Sequence, residues 1–218
     1  MPISHAHRAI FVHIPKTAGT SIEAVLGMHG DKQDVGIVPY YNQTADLERL
    51  YGQQMQHLTA QGIRQMVNDE RVFESYFKFT VVRNPWDRLV STLAWTDQKW
   101  ARGEQLTVAA FDRGVRELHA AVSGVRTREG GLRLPPHLHP QCVFVWDGQR
   151  RLLVDFVARY ENLQADWAQI GGRLGVPTAL PVRMKSHHRD YREYYTPDTR
   201  RMVAEIYAAD VSAFNYEF

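Results

Sequence analysis

The sequence predicts an α/β fold, a single domain with a mainly parallel central sheet flanked by helices. Apolar, β-branched runs such as Ile10–Ile14 and Tyr76–Val82 alternate with segments that have helical periodicity. Strands that alternate with helices favour a parallel sheet. The 218 residues, 44% of them hydrophobic, suffice to bury one substantial core. Because no repeat or linker interrupts the chain, residues 1–218 are expected to form one domain.

Helices are expected wherever apolar residues recur at helical spacing after a capping or breaking residue. Thr20 or Ser21 can cap the helix after the first strand, and Pro85 suits the first turn of another. Gly175 can close a helix, and Thr196 can cap the last one. The other expected helices cover about Thr44–Gly52, Thr59–Asn68, Trp86–Ala101, Thr107–Ala121 and Glu161–Gly175.

The stretch from Gln141 to Tyr160 predicts two strands, because Asp147-Gly148 is a strong hairpin turn signal between apolar runs. The single cysteine, Cys142, excludes a disulfide framework and a thiolate metal cluster. It is expected to be a small buried core residue, as most unpaired cysteines are.

Charge and hydropathy narrow the class of protein. The formal charge of +2 is nearly balanced, so nothing indicates a nucleic-acid partner. No apolar run approaches the roughly 20 residues that cross a bilayer. The first eight residues also lack the apolar region of a secretory signal. The expectation is a soluble cytoplasmic protein without a membrane span.

The loop after the first strand has the composition of an anion site. In "PKTAGTS", Lys16 supplies a positive charge, Gly19 lets the backbone approach a ligand closely, and hydroxyl residues surround it. A loop that opens a helix also presents backbone N–H groups and the helix dipole to an anion. It is not a Walker A loop, in which the lysine follows the second glycine.

A second candidate site follows the strand Tyr76–Val82. Arg83 leaves the strand, and Ser91 lies eight residues later in the predicted helix. A guanidinium offers a planar fork of donors to phosphate, and a serine hydroxyl adds another. The alternative is a surface ion pair between Arg83 and Asp87.

Together, "PKTAGTS" and the Arg83-x7-Ser91 pair resemble the two cofactor signatures of sulfotransferases that use 3′-phosphoadenosine 5′-phosphosulfate (PAPS). The nearest resemblance is to the carbohydrate branch acting on heparan and chondroitin. It implies the P-loop-kinase-like sulfotransferase fold and no required metal. It assigns the 3′-phosphate to Arg83 and Ser91. The residues it assigns to the 5′-phosphosulfate are Lys16, Thr17, Ala18, Gly19, Thr20 and Ser21.

The resemblance continues near the C-terminus, in "VDFVARYENLQADWAQIGGRLG", "DYREYYT" and "DVSAFNYEF". Family members often carry Asn about where this chain has Met184. Lys185 and Ser186, which follow it, are further candidates for the cofactor site. Because no signal or anchor is evident, the resemblance implies a bacterial-type soluble member.

The acceptor hydroxyl benefits from a general base, for which histidine is the usual choice near neutral pH. His57 lies between the two cofactor motifs and resembles the family's base-carrying segment. The alternative is a surface histidine at a helix start. His13 is more simply a packed strand residue and Glu23 a solvent-facing one, although either could be the base. His137 and His139 could bind a metal or line the acceptor cleft, but no third ligand at useful spacing supports a metal.

The resemblance thus implies in-line sulfuryl transfer from PAPS to a hydroxyl of a sugar, lipid or small metabolite, releasing 3′,5′-ADP, with Lys16 stabilising the leaving phosphate. Arg126–Arg133 could meet an anionic acceptor or be a solvated loop. A non-catalytic nucleotide-binding module and a kinase-like phosphoryl transferase are the alternatives. The oligomeric state stays open.

Overall fold

The computed structural model describes residues 2–28, 57–67, 69–96, 106–125, 134–181 and 189–218. Contacts divide the chain into two compact units. The first, here the sheet unit, contains residues 1–82 and 143–184, and the second, the helical unit, contains residues 83–142 and 185–218. The assignment of residues 1–218 to one domain stays a prediction.

The sheet unit contains a sheet in the order β1-β2-β3-β4. β1 pairs with β2 antiparallel, whereas β2, β3 and β4 run parallel to one another. This arrangement confirms the predicted α/β class with a mainly parallel sheet. The strands are β1 (Ile3–Ser4), β2 (Ala9–Val12), β3 (Phe77–Val82) and β4 (Phe156–Arg159).

The described helices are distributed over both units, with 3₁₀ turns at Pro136–Leu138, Tyr160–Asn162 and Tyr191–Tyr194. In chain order they are α1 (Gly19–Val25), α2 (Ala60–Val67), α3 (Glu70–Ser75), α4 (Pro85–Thr96), α5 (Val108–Val125), α6 (Cys142–Val145), α7 (Leu163–Leu174), α8 (Pro197–Ile206) and α9 (Ala208–Phe214).

The core of the sheet unit forms where β2 and β3 pack against α1 and α7. Phe11 and Phe79 stack with ring centroids 5.1 Å apart. Ile22 from α1 and Trp167 from α7 are completely buried in the same cluster. The Trp167 indole N–H donates to the carbonyl of Pro177, so burial leaves this donor satisfied. The core therefore fixes α1, and the loop before it, against the sheet.

In the helical unit, α8 packs against α4 and α5. The indole N–H of Trp86 donates to the Arg200 carbonyl, and the Tyr195 hydroxyl donates to the Trp86 carbonyl. α8 begins with the predicted Thr196 cap, whose hydroxyl accepts from the backbone N–H of Thr199 in a reciprocal capping box.

Two local predictions were wrong. α1 is not capped by Thr20 or Ser21, because its N-cap is Ala18, which makes no side-chain cap bond. The first strand of the predicted hairpin is the helical turn α6, and only the pair Trp146–Leu152 remains of its ladder. The Asp147 carboxylate instead closes a tight turn by accepting from the backbone N–H groups of Gln149 and Arg151.

Other predictions were confirmed. Gly175 ends α7 in the left-handed conformation, with φ of 66°. Cys142 is a buried free cysteine. The helix expected at Thr44–Gly52 lies outside the described residues, whereas α3 formed without having been predicted.

Candidate functional site

The loop between β2 and α1 holds its backbone in an unusual conformation. Lys16 and Ala18 have φ of 69° and 70°, in the left-handed region that residues other than glycine rarely adopt. Each such residue costs roughly 1–3 kcal/mol, and strained residues of this kind concentrate at functional sites. The loop is therefore held in shape by its surroundings, as expected of a preorganised binding loop.

Burial alternates along this loop. Thr17 is completely buried, and its hydroxyl donates to the carbonyl of Ile14 at 2.8 Å. This bond uses the Thr17 hydroxyl to close the loop. Lys16, Ala18 and Thr20 are partly exposed. These three residues are thus the part of the loop that solvent, and therefore a ligand, can reach.

Behind the loop lies a buried pair formed by His13 and Glu23. The Nδ1 atom of His13 is 2.7 Å from Oε1 of Glu23, and the two residues are 5% and 2% exposed. The expectation of a solvent-facing Glu23 was therefore wrong. A carboxylate tolerates burial when a charged or hydrogen-bonding partner meets it, and the residue ten positions earlier supplies that partner. No local sequence signal indicates such a pairing.

Gly19 is required by the ring of His13. A Cβ atom built on Gly19 would overlap the Nε2 end of that ring. Gly19 is the first residue of α1, so α1 can begin this close to β2 only with a glycine there. The sequence predicted a glycine that lets a ligand approach, whereas the structure shows one that admits a side chain of the protein itself.

Gly19→Ala is expected to destabilise the fold by about 1–3 kcal/mol, the cost of overpacking a well-packed site, and to displace His13 from Glu23. Gly172→Ala is the matched control, because Gly172 lies in α7 with no atom within 4 Å of its Cβ position. This control is expected to stabilise by about 0.5–1 kcal/mol through helix propensity. Urea denaturation measures both changes, and equal effects would contradict the assigned packing.

His57 also lies in the sheet unit, and it is only 8% exposed. The alternative of a surface histidine was therefore wrong. Its Nδ1 atom is 3.0 Å from the backbone carbonyl oxygen of His13, and the two rings meet edge to face at 4.5 Å. Because a carbonyl oxygen can only accept, we infer that Nδ1 carries a hydrogen, and the neutral form of the ring then has its lone pair on Nε2. A general base needs this tautomer.

Arg83 and Ser91 lie in the helical unit, and both are buried, at 4% and 2% exposure. Arg83 Nε donates to Oδ2 of Asp87 at 2.7 Å. The ion pair considered as the alternative is thus present, and it joins buried Arg83 to a partly buried Asp87. That bond uses one of the five guanidinium N–H donors and orients the plane of the group.

His137 and His139 are held by neighbouring groups of the helical unit. The ring of His137 stacks on Trp95 with centroids 4.6 Å apart. Nε2 of His139 lies 2.8 Å from the carbonyl oxygen of Leu134. Among the residues that the structure describes, no group of three His, Cys, Asp or Glu side chains could hold a metal ion.

Several candidate residues lie outside the described ranges. They are Lys185 and Ser186 of the predicted cofactor site, Met184, and the arginine-rich stretch Arg126–Arg133. Their assignments stay predictions.

The match to a family model decides the class of the protein. The model described as the sulfotransferase family matches residues 1–217. The chain belongs to the sulfotransferase family. This sulfotransferase is also 26% identical over 125 residues to an uncharacterized protein of Archaeoglobus fulgidus, an alignment that covers 57% of the chain and 89% of that relative. No solved structure matches it significantly.

Family membership identifies a transferase of sulfuryl groups. In the parts of the chain that the structure describes, no helix of this sulfotransferase is long and apolar enough to cross a membrane.

Proposed function

We propose that the protein transfers the sulfuryl group of PAPS to a hydroxyl of a small-molecule or glycan acceptor. The observation that carries the proposal is the strained "PKTAGTS" loop at the end of β2 in a chain of the sulfotransferase family. The carbohydrate branch and the bacterial type are part of the same proposal, and they rest on the sequence resemblance. The cytoplasmic location stays a prediction.

The loop fits the 5′-phosphosulfate of PAPS by its donor set. Lys16, Ala18 and Thr20 form its partly exposed side, which combines a cation, a side chain too small to obstruct a ligand, and a hydroxyl. Left-handed residues along a loop turn backbone N–H groups toward a common anion. PAPS supplies the sulfuryl group, and Lys16 would stabilise the negative charge that develops on the phosphate.

The tautomer of His57 supports a catalytic protein over a binding module. A neutral histidine whose Nδ1–H donates to a backbone carbonyl has its basic lone pair on Nε2. Such an atom can take the proton of an acceptor hydroxyl during attack. The carbonyl that holds His57 belongs to His13, and the buried contact between His13 and Glu23 fixes that residue. The orientation of the His57 ring is therefore determined by packing in the core.

The order of residues in the loop disfavours a kinase-like phosphoryl transferase. In a Walker A loop the lysine follows the second glycine at the start of the helix, whereas Lys16 precedes Gly19 and α1.

The proposal is tested by incubating the protein with PAPS labelled at sulfur and a panel of hydroxyl acceptors, among them desulfated glycan fragments and hydroxylated lipids. Labelled product and 3′,5′-ADP are expected together, in equal amounts. Transfer of the γ-phosphate of Mg²⁺-ATP to the same panel, without release of 3′,5′-ADP from PAPS, would instead establish the kinase alternative.

Arg83 is proposed to bind the 3′-phosphate. Arg83→Ala is expected to weaken binding of 3′,5′-ADP by about 2–4 kcal/mol, as for loss of a buried charge-assisted pair. It should barely change binding of 5′-AMP, which has no 3′-phosphate. Calorimetry measures both affinities, and an equal loss for the two ligands would remove Arg83 from this role.

A further inference from the structure

Arg83 is held by a side chain distant in sequence. The backbone N–H of Arg83 donates to Oε1 of Gln141 at 2.8 Å, and Nε2 of Gln141 donates to the Arg83 carbonyl at 2.8 Å. Gln141 thereby bonds both backbone groups of the residue that follows β3, as the peptide of a neighbouring strand would. Gln141 is completely buried, so water does not compete for either bond.

Gln141 is in turn held by Asp210 of α9. The two carboxylate oxygens of Asp210 accept from the backbone N–H groups of Gln141 and Cys142, at 2.7 and 2.9 Å. Asp210 is completely buried. A carboxylate in that position is costly unless such bonds satisfy it, and removing one partner leaves a buried polar group unpaired. The Asp210 carboxylate thus fixes the backbone from which the Gln141 side chain extends.

The segment before Gln141, residues 134–140, is also hydrogen-bonded to side chains of the helical unit. The guanidinium of Arg88, a buried residue of α4, donates to the carbonyl of His139 at 2.6 Å. The hydroxyl of Tyr207 donates to the carbonyl of Leu138 at 3.1 Å. Burial raises the pKa of Tyr207 to about 12, so its hydroxyl remains a hydrogen-bond donor to a higher pH than an exposed tyrosine does. Gln141 therefore sits on a segment with little freedom to move.

We propose that Gln141, fixed by Asp210, is a positioning residue that sets the backbone of Arg83 and so aims its guanidinium at the 3′-phosphate of the donor. The inference rests on the proposed function. Gln141 fixes the backbone of Arg83, while Asp87 fixes the guanidinium through Nε. The guanidinium is thus constrained from both ends of the residue. A fixed donor spends less conformational entropy on binding, so its contribution to affinity is larger.

Gln164 provides a control for this pattern of contact. Its amide bonds the backbone of Leu180 in the same pattern, with Nε2 donating to the carbonyl at 3.3 Å and Oε1 accepting from the N–H at 3.4 Å, but from an exposed side chain. It lies in the sheet unit, whereas Arg83 lies in the helical unit. Gln164→Leu and Gln141→Leu therefore remove the same kind of contact from two places.

The experiment measures the preference for 3′,5′-ADP over 5′-AMP by calorimetry, together with melting temperature, for the native protein and its variants. Gln141→Leu is expected to reduce the preference by about 10- to 100-fold, by analogy with the loss seen when hydrogen-bond partners of metal-ligating residues are removed. Asp210→Asn keeps the volume of the side chain but has one acceptor oxygen fewer. A smaller reduction of the preference is therefore expected for this variant. Gln164→Leu should lower the melting temperature and leave the preference unchanged.

A native protein without any preference would refute the proposed function itself. A native preference that Arg83→Ala abolishes, but that Gln141→Leu leaves intact, would overturn the positioning role alone. The same holds if Gln164→Leu reduces the preference as much as Gln141→Leu does. Should Gln141→Leu fail to fold, Asp210→Asn decides, because an unchanged preference in that variant overturns the inference.

Discussion

His57→Ala is expected to lower kcat by about 10²–10⁴, the usual span for loss of a general base, and to leave the affinity for 3′,5′-ADP nearly unchanged. The reason is the geometry around the ring. The His13 carbonyl fixes the hydrogen on Nδ1, so Nε2 is the atom that can accept a proton from the acceptor. Steady-state kinetics with PAPS and binding of 3′,5′-ADP measure the two quantities separately.

The pH profile sharpens this prediction. The native rate should fall on the acid side as His57 is protonated, and this limb should vanish in His57→Ala. His119→Ala is the control, since His119 lies on α5 and is paired with Glu205 near the surface. If His57→Ala keeps most of its activity while His13→Ala or Glu23→Ala abolishes it, the base is in the buried pair instead.

Lys16→Ala is expected to lower kcat by about 10²–10³, the effect of removing one preorganised stabiliser of developing charge. The loss should exceed the loss of product affinity, because the charge that Lys16 meets forms fully only as the bond to sulfur breaks. Comparison of kcat with the dissociation constant of 3′,5′-ADP measures the difference.

The left-handed backbone at Lys16 permits a control for distortion of the loop. Glycine adopts φ of 69° without strain, so Lys16→Gly removes the cation and keeps a conformation that the loop already has. Lys16→Gly and Lys16→Ala should therefore lose activity alike. Recovery of kcat in Lys16→Gly would show that the alanine variant acts by changing the shape of the loop. A raised KM with native kcat in both variants would show that Lys16 only binds the donor.

The sequence predicted those parts of the fold that local chemistry determines. The N-cap at Thr196 and the C-cap at Gly175 each depend only on residues in the first or last turn of one helix. The hydroxyls of Thr20 and Ser21 gave the same kind of signal, yet α1 begins at Gly19. Its start is set by the strained loop and by the His13 ring, neither of which has a local signature.

The polar contacts of the candidate site were predicted least well, because they join residues far apart in the chain. Arg83 was identified from its place after a strand, but its contact with Gln141 spans 58 residues. Gln141 and Asp210 are separated by 69 residues. No periodicity or spacing within one segment encodes such pairs, and only packing brings them together. Continuous apolar, β-branched runs, in contrast, sufficed to predict β2 and β3.

The most direct test of the central claim is calorimetry of the native protein with 3′,5′-ADP, 5′-AMP and ATP, each with and without Mg²⁺. We expect 3′,5′-ADP to bind most tightly, because the 3′-phosphate adds a charge-assisted contact that 5′-AMP lacks, and we expect Mg²⁺ to leave its affinity unchanged. If ATP instead binds more tightly than 3′,5′-ADP, and only with Mg²⁺, the result would contradict the use of PAPS and indicate a phosphoryl transferase.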